Sequence, residues 1–200
     1  MLATRKSVLL VTLLVVPTYG LADDSPHEAV SVRRTARISS VTFCRTDDAF
    51  SVARVRVSIT TENTGTTPVI IHRALRSDTV TTRDVGSKKQ HTVTGDRFDQ
   101  SAENFDVYAP TFEGSPNANA EFVVLAPGSS WTSDVLVPVP VERQRDIEAA
   151  FTVTFWPYSH ETADRLRSRW HSYGRLITTD FVTKPLKVSL RPEGQLAVCQ

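Results

Sequence analysis

The sequence predicts an all-β fold, an antiparallel β-sandwich with one short amphipathic helix packed on it. Between residues 51 and 61, apolar and polar side chains alternate with a period of two, which places one strand face in a core and the other in water. Turn residues recur between short β-branched runs, a pattern typical of a sandwich rather than a parallel sheet. Residues 160–173 switch to the period of an amphipathic helix.

The amino terminus has the three zones of a secretory signal peptide. Two basic residues are followed by an apolar run over residues 8–16 and by small side chains that end at Ala22. The run is far shorter than the ~20 residues of a membrane-spanning helix, and Pro17 ends it. We therefore expect cleavage of residues 1–22, no membrane anchor in the mature chain, and a secreted or periplasmic protein.

Length and charge limit what the mature chain, residues 23–200, can be. At roughly 100–200 residues per domain, it is most simply a single domain. The formal charge is +1 for the whole chain and about −1 without the two basic residues of the signal. A balance so close to zero gives no counterion-release term for nucleic acid. A protein or glycan partner is still open, and the sequence does not indicate an oligomeric state.

The two cysteines, Cys44 and Cys199, predict one disulfide. Export takes both into an oxidising compartment, where such a pair forms and persists. A bridge across 155 residues would stabilise the fold by up to about 5 kcal/mol in the chain-entropy model. The alternative is two buried free thiols.

Turn chemistry predicts how the strands pair. Asn63 and Gly65 tolerate positive φ and predict a hairpin between residues 51–61 and 68–72. A second turn, over residues 126–130, predicts that the strand before it pairs with the strand after it. The strands on either side of this second turn are residues 120–125 and 131–139. We expect further strands at residues 30–44, at a sheet edge, at 151–156 and, as one or two strands, at 178–190.

The predicted helix, residues 160–173, places Leu166, Trp170 and Tyr173 on one side. Acidic residues come early in it and basic residues come late, which matches the helix dipole, and Gly174 is a candidate C-terminal cap.

Two other segments are less regular. Residues 142–150 follow two prolines and contain good helix formers, so they predict a short helix or a turn. Residues 84–119 predict a long excursion with at most one strand, of the kind that is either functional or disordered. The basic cluster from Lys88 to His91 lies within it, and we interpret this cluster as a solubility feature.

Sequence motifs indicate no catalytic, cofactor-binding or metal-binding residue. The spacings H-E-x-x-H, C-x-x-C, G-x-S-x-G and that of the EF-hand are all missing from the sequence. His160 and His171 share a helix face but would stand about 16 Å apart, too far for one ion. The adjacent acids Asp47 and Asp48 are more typical of a solvated turn than of an acid–base pair.

The three tryptophans, Trp131, Trp156 and Trp170, could line a ligand groove. Packing against the alternating Val and Ile side chains of the core is the more typical role of such residues.

Two turn motifs carry a resemblance to a known class of domain. Glu62-Asn-Thr-Gly-Thr-Thr-Pro-Val69 and Phe122-Val-Val-Leu-Ala-Pro-Gly-Ser-Ser-Trp131 resemble those of small bacterial immunoglobulin-like domains, including the family of intracellular proteinase inhibitors. The resemblance covers about half of the mature chain and implies an immunoglobulin-like sandwich. The export signal, the cysteine pair and the added helix depart from the inhibitor pattern, so no inhibitory residue is carried over.

Three functions are compatible with these observations. The first is a non-enzymatic, extracytoplasmic binding module that uses an exposed edge strand or residues 84–119. The second is a secreted protease inhibitor that presents a surface loop. The third is an enzyme whose site combines His72, His91 or His160 with acids from distant segments.

Overall fold

A computed structural model describes residues 30–46, 51–94 and 114–199, within which the chain forms eleven strands and one α-helix. The predicted signal peptide, Asp47, Asp48 and residues 95–113 of the predicted excursion lie outside the described residues. The strands are β1 (Val32–Arg45), β2 (Ser51–Asn63), β3 (Val69–His72), β4 (Arg76–Asp84), β5 (Gln90–Thr94), β6 (Phe122–Leu125), β7 (Ser130–Val141), β8 (Arg145–Thr154), β9 (Arg175–Leu176), β10 (Phe181–Val182) and β11 (Leu186–Leu190). The helix α1 spans His160–Trp170, and a short 3-10 helix spans Pro116–Ala118.

The strands form three sheets. The first has the order β1-β2-β7, and the second has the order β10-β8-β4-β5, with β11 also paired to β8. The third, smaller sheet has the order β6-β3-β9. Of the pairs between these strands only β3–β9 is parallel, so the predicted all-β, mainly antiparallel class is confirmed for the part of the chain that the structure describes.

The first two sheets share one apolar core. The inward side chains of β2, from Ala53 to Ile59 at every second position, are at most 1% exposed. Opposite them, Ile147, Phe151 and Val153 of β8 are equally buried and belong to the same cluster. The strict period of two in both strands explains why each turns one face inward.

Arg34 and the disulfide tie down the lateral edge where β1 lies beside β11, which we call the closed side. The Arg34 guanidinium lies 4.2 Å from the centre of the Phe155 ring and donates hydrogen bonds to the carbonyl oxygens of Thr179 and Asp180, at 3.2 and 3.4 Å. The bond between Cys44 and Cys199 holds the carboxyl terminus against the end of β1, which confirms the predicted pairing.

Both predicted hairpins are wrong, because their strands exchange partners. β2 pairs with β7 and β3 pairs with β6. The segment β2–β3 and the segment β6–β7 therefore run side by side as one antiparallel ribbon that bends at the two turns. Asn63, which is fully buried, joins the turns there. Its side-chain amide donates to the carbonyl oxygens of Thr67 and Leu125, and its own carbonyl oxygen accepts from the Gly128 amide.

The predicted helix at residues 142–150 is also wrong, because this segment contains the first half of strand β8. Its alternating Ile147 and Ala149 face the core, and tertiary burial outweighs the helix propensity of its neighbours. The predicted helix α1 is confirmed, but it ends at Trp170, and Tyr173 lies beyond it and is 42% exposed.

His171, not Gly174, is the C-terminal cap of the helix. Gly174 has a different role. Its φ is 149°, and a Cβ at this position would lie 2.5 Å from the carbonyl oxygen of Pro68. The glycine therefore permits the close approach that lets β9 pair with β3.

Helix α1 packs on the third sheet. Ser159 caps its first turn by accepting a hydrogen bond from the Thr162 amide at 3.3 Å. Leu166 and Trp170 are at most 1% exposed and cluster with Phe122 of β6. The helix thus covers a second apolar cluster, separate from the core between the two larger sheets.

Candidate functional site

Strand β5 extends beyond the sheet that faces it. The second sheet is four strands wide along its main path, whereas the first sheet is three strands wide and ends at β7, which contacts β4. The inward side of β5 therefore has no strand of the first sheet opposite it within the described residues. We call this edge, formed by β5, β7 and the turn between β7 and β8, the open side.

The open side contains a groove of about 430 Å³. Register places Val93 of β5 beside Val80 of β4, and His91 beside Thr82, on the face that lines it. Val80 is 1% exposed, but Val93 is 36% exposed, although both are valines on neighbouring strands of one sheet. The difference arises because β7 covers β4 and nothing described covers β5.

The groove has an apolar floor and a charged rim. Val139 of β7 and Ile147 of β8 complete the floor. On the rim, Asp84 lies between two guanidinium groups, 2.5 Å from Arg143 and 3.0 Å from Arg145. Asp84 therefore pairs with both cations, and with Glu142 the lining contains two carboxylates and two arginines.

The predicted basic cluster, residues 88–91, follows Asp84 in the sequence. Lys88 and Lys89 are exposed in the turn between β4 and β5, and His91 lines the groove. Glu142 also lines it. The groove and this turn together therefore contain four lysine and arginine side chains and two carboxylates. The interpretation of the cluster as a solubility feature stays a prediction.

Prolines alter the edge of β7 that borders the groove. Pro138 and Pro140 lie opposite Arg54 and Val52 of β2, two residues apart. Because proline has no N–H, it is tolerated in a strand where its nitrogen points away from the neighbouring strand. The outer edge of β7 therefore has carbonyl acceptors but no donors at these two positions.

His72 forms a separate polar cluster beneath helix α1. Its Nδ1 lies 2.7 Å from the carbonyl oxygen and 3.2 Å from the amide nitrogen of Ala74. The Tyr158 hydroxyl lies 3.5 Å from Nε2 and donates to a Glu121 carboxylate oxygen at 2.6 Å. The cluster ties β3 to the start of β6 and to the segment before α1.

Burial keeps this cluster neutral at His72 and Tyr158. It lowers the pKa of His72 below its usual 6.5, against the opposing effects of the Ala74 carbonyl and of Glu121. It raises the pKa of Tyr158, with a further increase from Glu121. Side chains that are 4% and 8% exposed give a substrate no access, so the geometry favours a structural role.

The three histidines considered for an enzyme lie in three different places. His72 is buried under the helix, His91 borders the groove, and His160 is exposed at the first residue of α1. Across residues 30–46, 51–94 and 114–199, no three His, Cys, Asp or Glu side chains come together as a possible metal site. In the same ranges, no helix is long and apolar enough to cross a membrane.

The tryptophans belong to cores rather than to the groove. Trp156 and Trp170 are 7% and 1% exposed in the cluster beneath α1, as the core-packing interpretation predicts. Trp131 is partly buried and lies 5.0 Å from the Arg73 guanidinium.

The fold and the groove define an all-β, disulfide-linked domain in which no described strand of the first sheet covers β5. The chain matches no protein-family model, and no curated protein is similar enough to it to count as a match. The functional argument therefore depends on the geometry of the open side.

Proposed function

We propose that the protein is a secreted or periplasmic, non-enzymatic binding module, an immunoglobulin-like β-sandwich that recognises a protein partner through its open side. The groove beside β5 carries this proposal, because it is a concave, apolar-floored surface with a few polar groups at its rim, the usual composition of a binding site. The uncovered Val93 supports it, since one valine of the inward face stays partly in water.

The disulfide and the charge near the groove support the same proposal. A bond between Cys44 and Cys199 is compatible with an oxidising, extracytoplasmic compartment. Acidic and basic side chains on other surfaces form pairs, such as Arg33 with Glu62 and Arg191 with Asp146. The groove and the turn between β4 and β5 together contain four lysine and arginine side chains and two carboxylates.

A capture experiment with two matched valine variants tests the proposal. Val93 and Val182 lie on the two opposite edge strands of the second sheet, and Val182 is the more exposed, at 62%. We expect the oxidised chain of residues 23–200 and its Val182→Lys variant to enrich the same partner from the extracytoplasmic extract of the source cells. The Val93→Lys variant should lose it.

Equal capture by both variants would refute a site on the open side. Capture of nothing by the unsubstituted protein would refute a protein-binding function. Circular dichroism of each variant controls for folding.

A further inference from the structure

We propose that the open side binds an extended peptide segment of the partner, which adds to β5 as a further strand and places one acidic side chain beside Arg143. This inference depends on the proposed function and specifies its ligand. The uncovered inward face of β5 and its position at the end of the sheet are the observations that point to it.

Strand β5 can pair through its main chain. Among the described strands it stands at the end of the order β10-β8-β4-β5, so alternate residues of Gln90–Thr94 direct their N–H and C=O groups away from β4. An extended peptide satisfies such groups by strand addition, a recurring mode of peptide recognition. The five residues of β5 set the length of the paired segment.

The other edge that borders the groove is a poorer place for strand addition. Pro138 and Pro140 remove two donors from the outer edge of β7, at the positions next to Val139 in the groove. An added strand would find only acceptors there and would leave its own carbonyl groups unpaired. The prolines therefore direct an extended ligand to β5.

The groove then selects the side chains of the ligand. Strand addition to β5 turns every second residue of the peptide toward the groove, above the floor formed by Val80, Val139 and Ile147. These positions favour apolar side chains. At the rim, the Arg143 side chain is 66% exposed although it bonds to Asp84, and its other N–H donors favour a carboxylate near one end of the peptide.

A displayed library of random nine-residue peptides is the probe. Selection for binding to the oxidised protein, with removal of peptides that also bind the Val93→Lys variant, should yield sequences with apolar residues at every second position and an Asp or Glu near one end. Enriched sequences with another period would overturn strand addition.

Main-chain pairing is tested by N-methylation of a selected peptide, one residue at a time. Each methyl group removes one N–H, and we expect roughly 3- to 10-fold weaker binding at every second residue and little change between them. Losses without this alternation would overturn pairing with β5, even if the peptide binds.

The acidic position is tested with two matched arginines. Arg143 and Arg33 are similarly exposed, with 66% and 65% of each side chain accessible, and each lies 2.5 Å from one carboxylate. The Arg143→Gln variant should bind the selected peptide about 2- to 5-fold more weakly, and Arg33→Gln should bind it as the unsubstituted protein does. Equal affinities would overturn the acidic contact.

Failure of this inference is distinguishable from failure of the proposed function. If no peptide is enriched while the partner is still captured in a Val93-dependent way, the partner binds through a folded surface and only the inference fails. If a second copy of the chain occupies β5, sedimentation will show a dimer that Val93→Lys converts to a monomer. That result would overturn the peptide ligand.

Discussion

The two lateral sides of the core use polar residues in different ways. On the closed side, the Arg34 guanidinium packs on Phe155 and bonds to the carbonyl oxygens of Thr179 and Asp180, so the cation joins one sheet to the segment beside the other. On the open side, Arg143 and Arg145 form ion pairs with Asp84 beside a groove with an apolar floor. Polar side chains thus fasten one edge and surround an accessible surface at the other.

This difference predicts that substitutions on the two sides will change the unfolding free energy by different amounts. Removal of a group that links the two sheets should lower the free energy of unfolding, whereas removal of a group that borders the groove should leave it nearly unchanged. The predictions below proceed from the largest expected effect to the smallest.

The disulfide should have the largest effect. The Cys44→Ala/Cys199→Ala variant should lose up to about 5 kcal/mol of unfolding free energy, because its unfolded state gains the freedom of a 155-residue loop. Urea denaturation measures the loss, and the reduced unsubstituted protein is the control. A loss below about 1 kcal/mol would show that the closed side does not depend on this bond.

Substitution of Arg34 should have the second-largest effect on stability. Its replacement by alanine removes the donors to Thr179 and Asp180 and the stacking on Phe155, and should cost about 1–3 kcal/mol. The neighbouring exposed pair of Arg33 and Glu62 provides the control, since Arg33→Ala should cost no more than about 1 kcal/mol. Equal losses at the two arginines would contradict the special role of Arg34.

Acid should destabilise the fold through His72, which lies on neither lateral side. The folded-state pKa of His72 is below 6.5, mainly because burial disfavours the charged form, while Glu121 raises it and Arg76 lowers it further. The unfolded chain therefore binds more protons between the two pKa values. The contribution of His72 to stability is complete above pH 6.5 and is lost as the pH falls from 6.5 to the folded-state pKa.

Urea midpoints measured from pH 7.5 to pH 5 test this dependence. We expect a smaller fall in the His72→Gln variant than in the unsubstituted protein. The same slope in both would mean that other groups cause the dependence.

Substitution in the groove should have the smallest effect on stability. Val93→Lys should change the unfolding free energy by less than about 0.5 kcal/mol, because the side chain already contacts water. Its paired neighbour Val80 is 1% exposed, so Val80→Ala should cost about 2 kcal/mol. Calorimetry of both variants compares them, and a large loss at Val93 would mean that the groove is part of the core.

Local patterns made some elements predictable from sequence. The alternation in β2 and the spacing of Leu166 and Trp170 in α1 each depend on a period within one segment. The disulfide followed from having only two cysteines. Strand β4 was not predicted, because Val80 is its one residue with a large apolar side chain and its position depends on pairing with β8 and β5.

Long-range pairing explains the other errors. The two turn motifs correctly locate breaks in the ribbon, but Asn63 links one turn to the other, and no local rule predicts that exchange of partners. The groove combines residues near positions 80–93 with others near 139–147, so its geometry depends on sheet order. Pro138 and Pro140 were interpreted as residues that precede a helix, whereas both lie in strand β7.

Amide hydrogen exchange in the free, oxidised protein most directly tests the claim that β5 presents a free edge. We expect its amides to alternate, with those bonded to β4 protected and those directed away from β4 exchanging at nearly the rate of an unstructured chain. Strong protection of every amide in Gln90–Thr94 would show that another part of the chain already pairs with this edge, and would contradict the account of the open side.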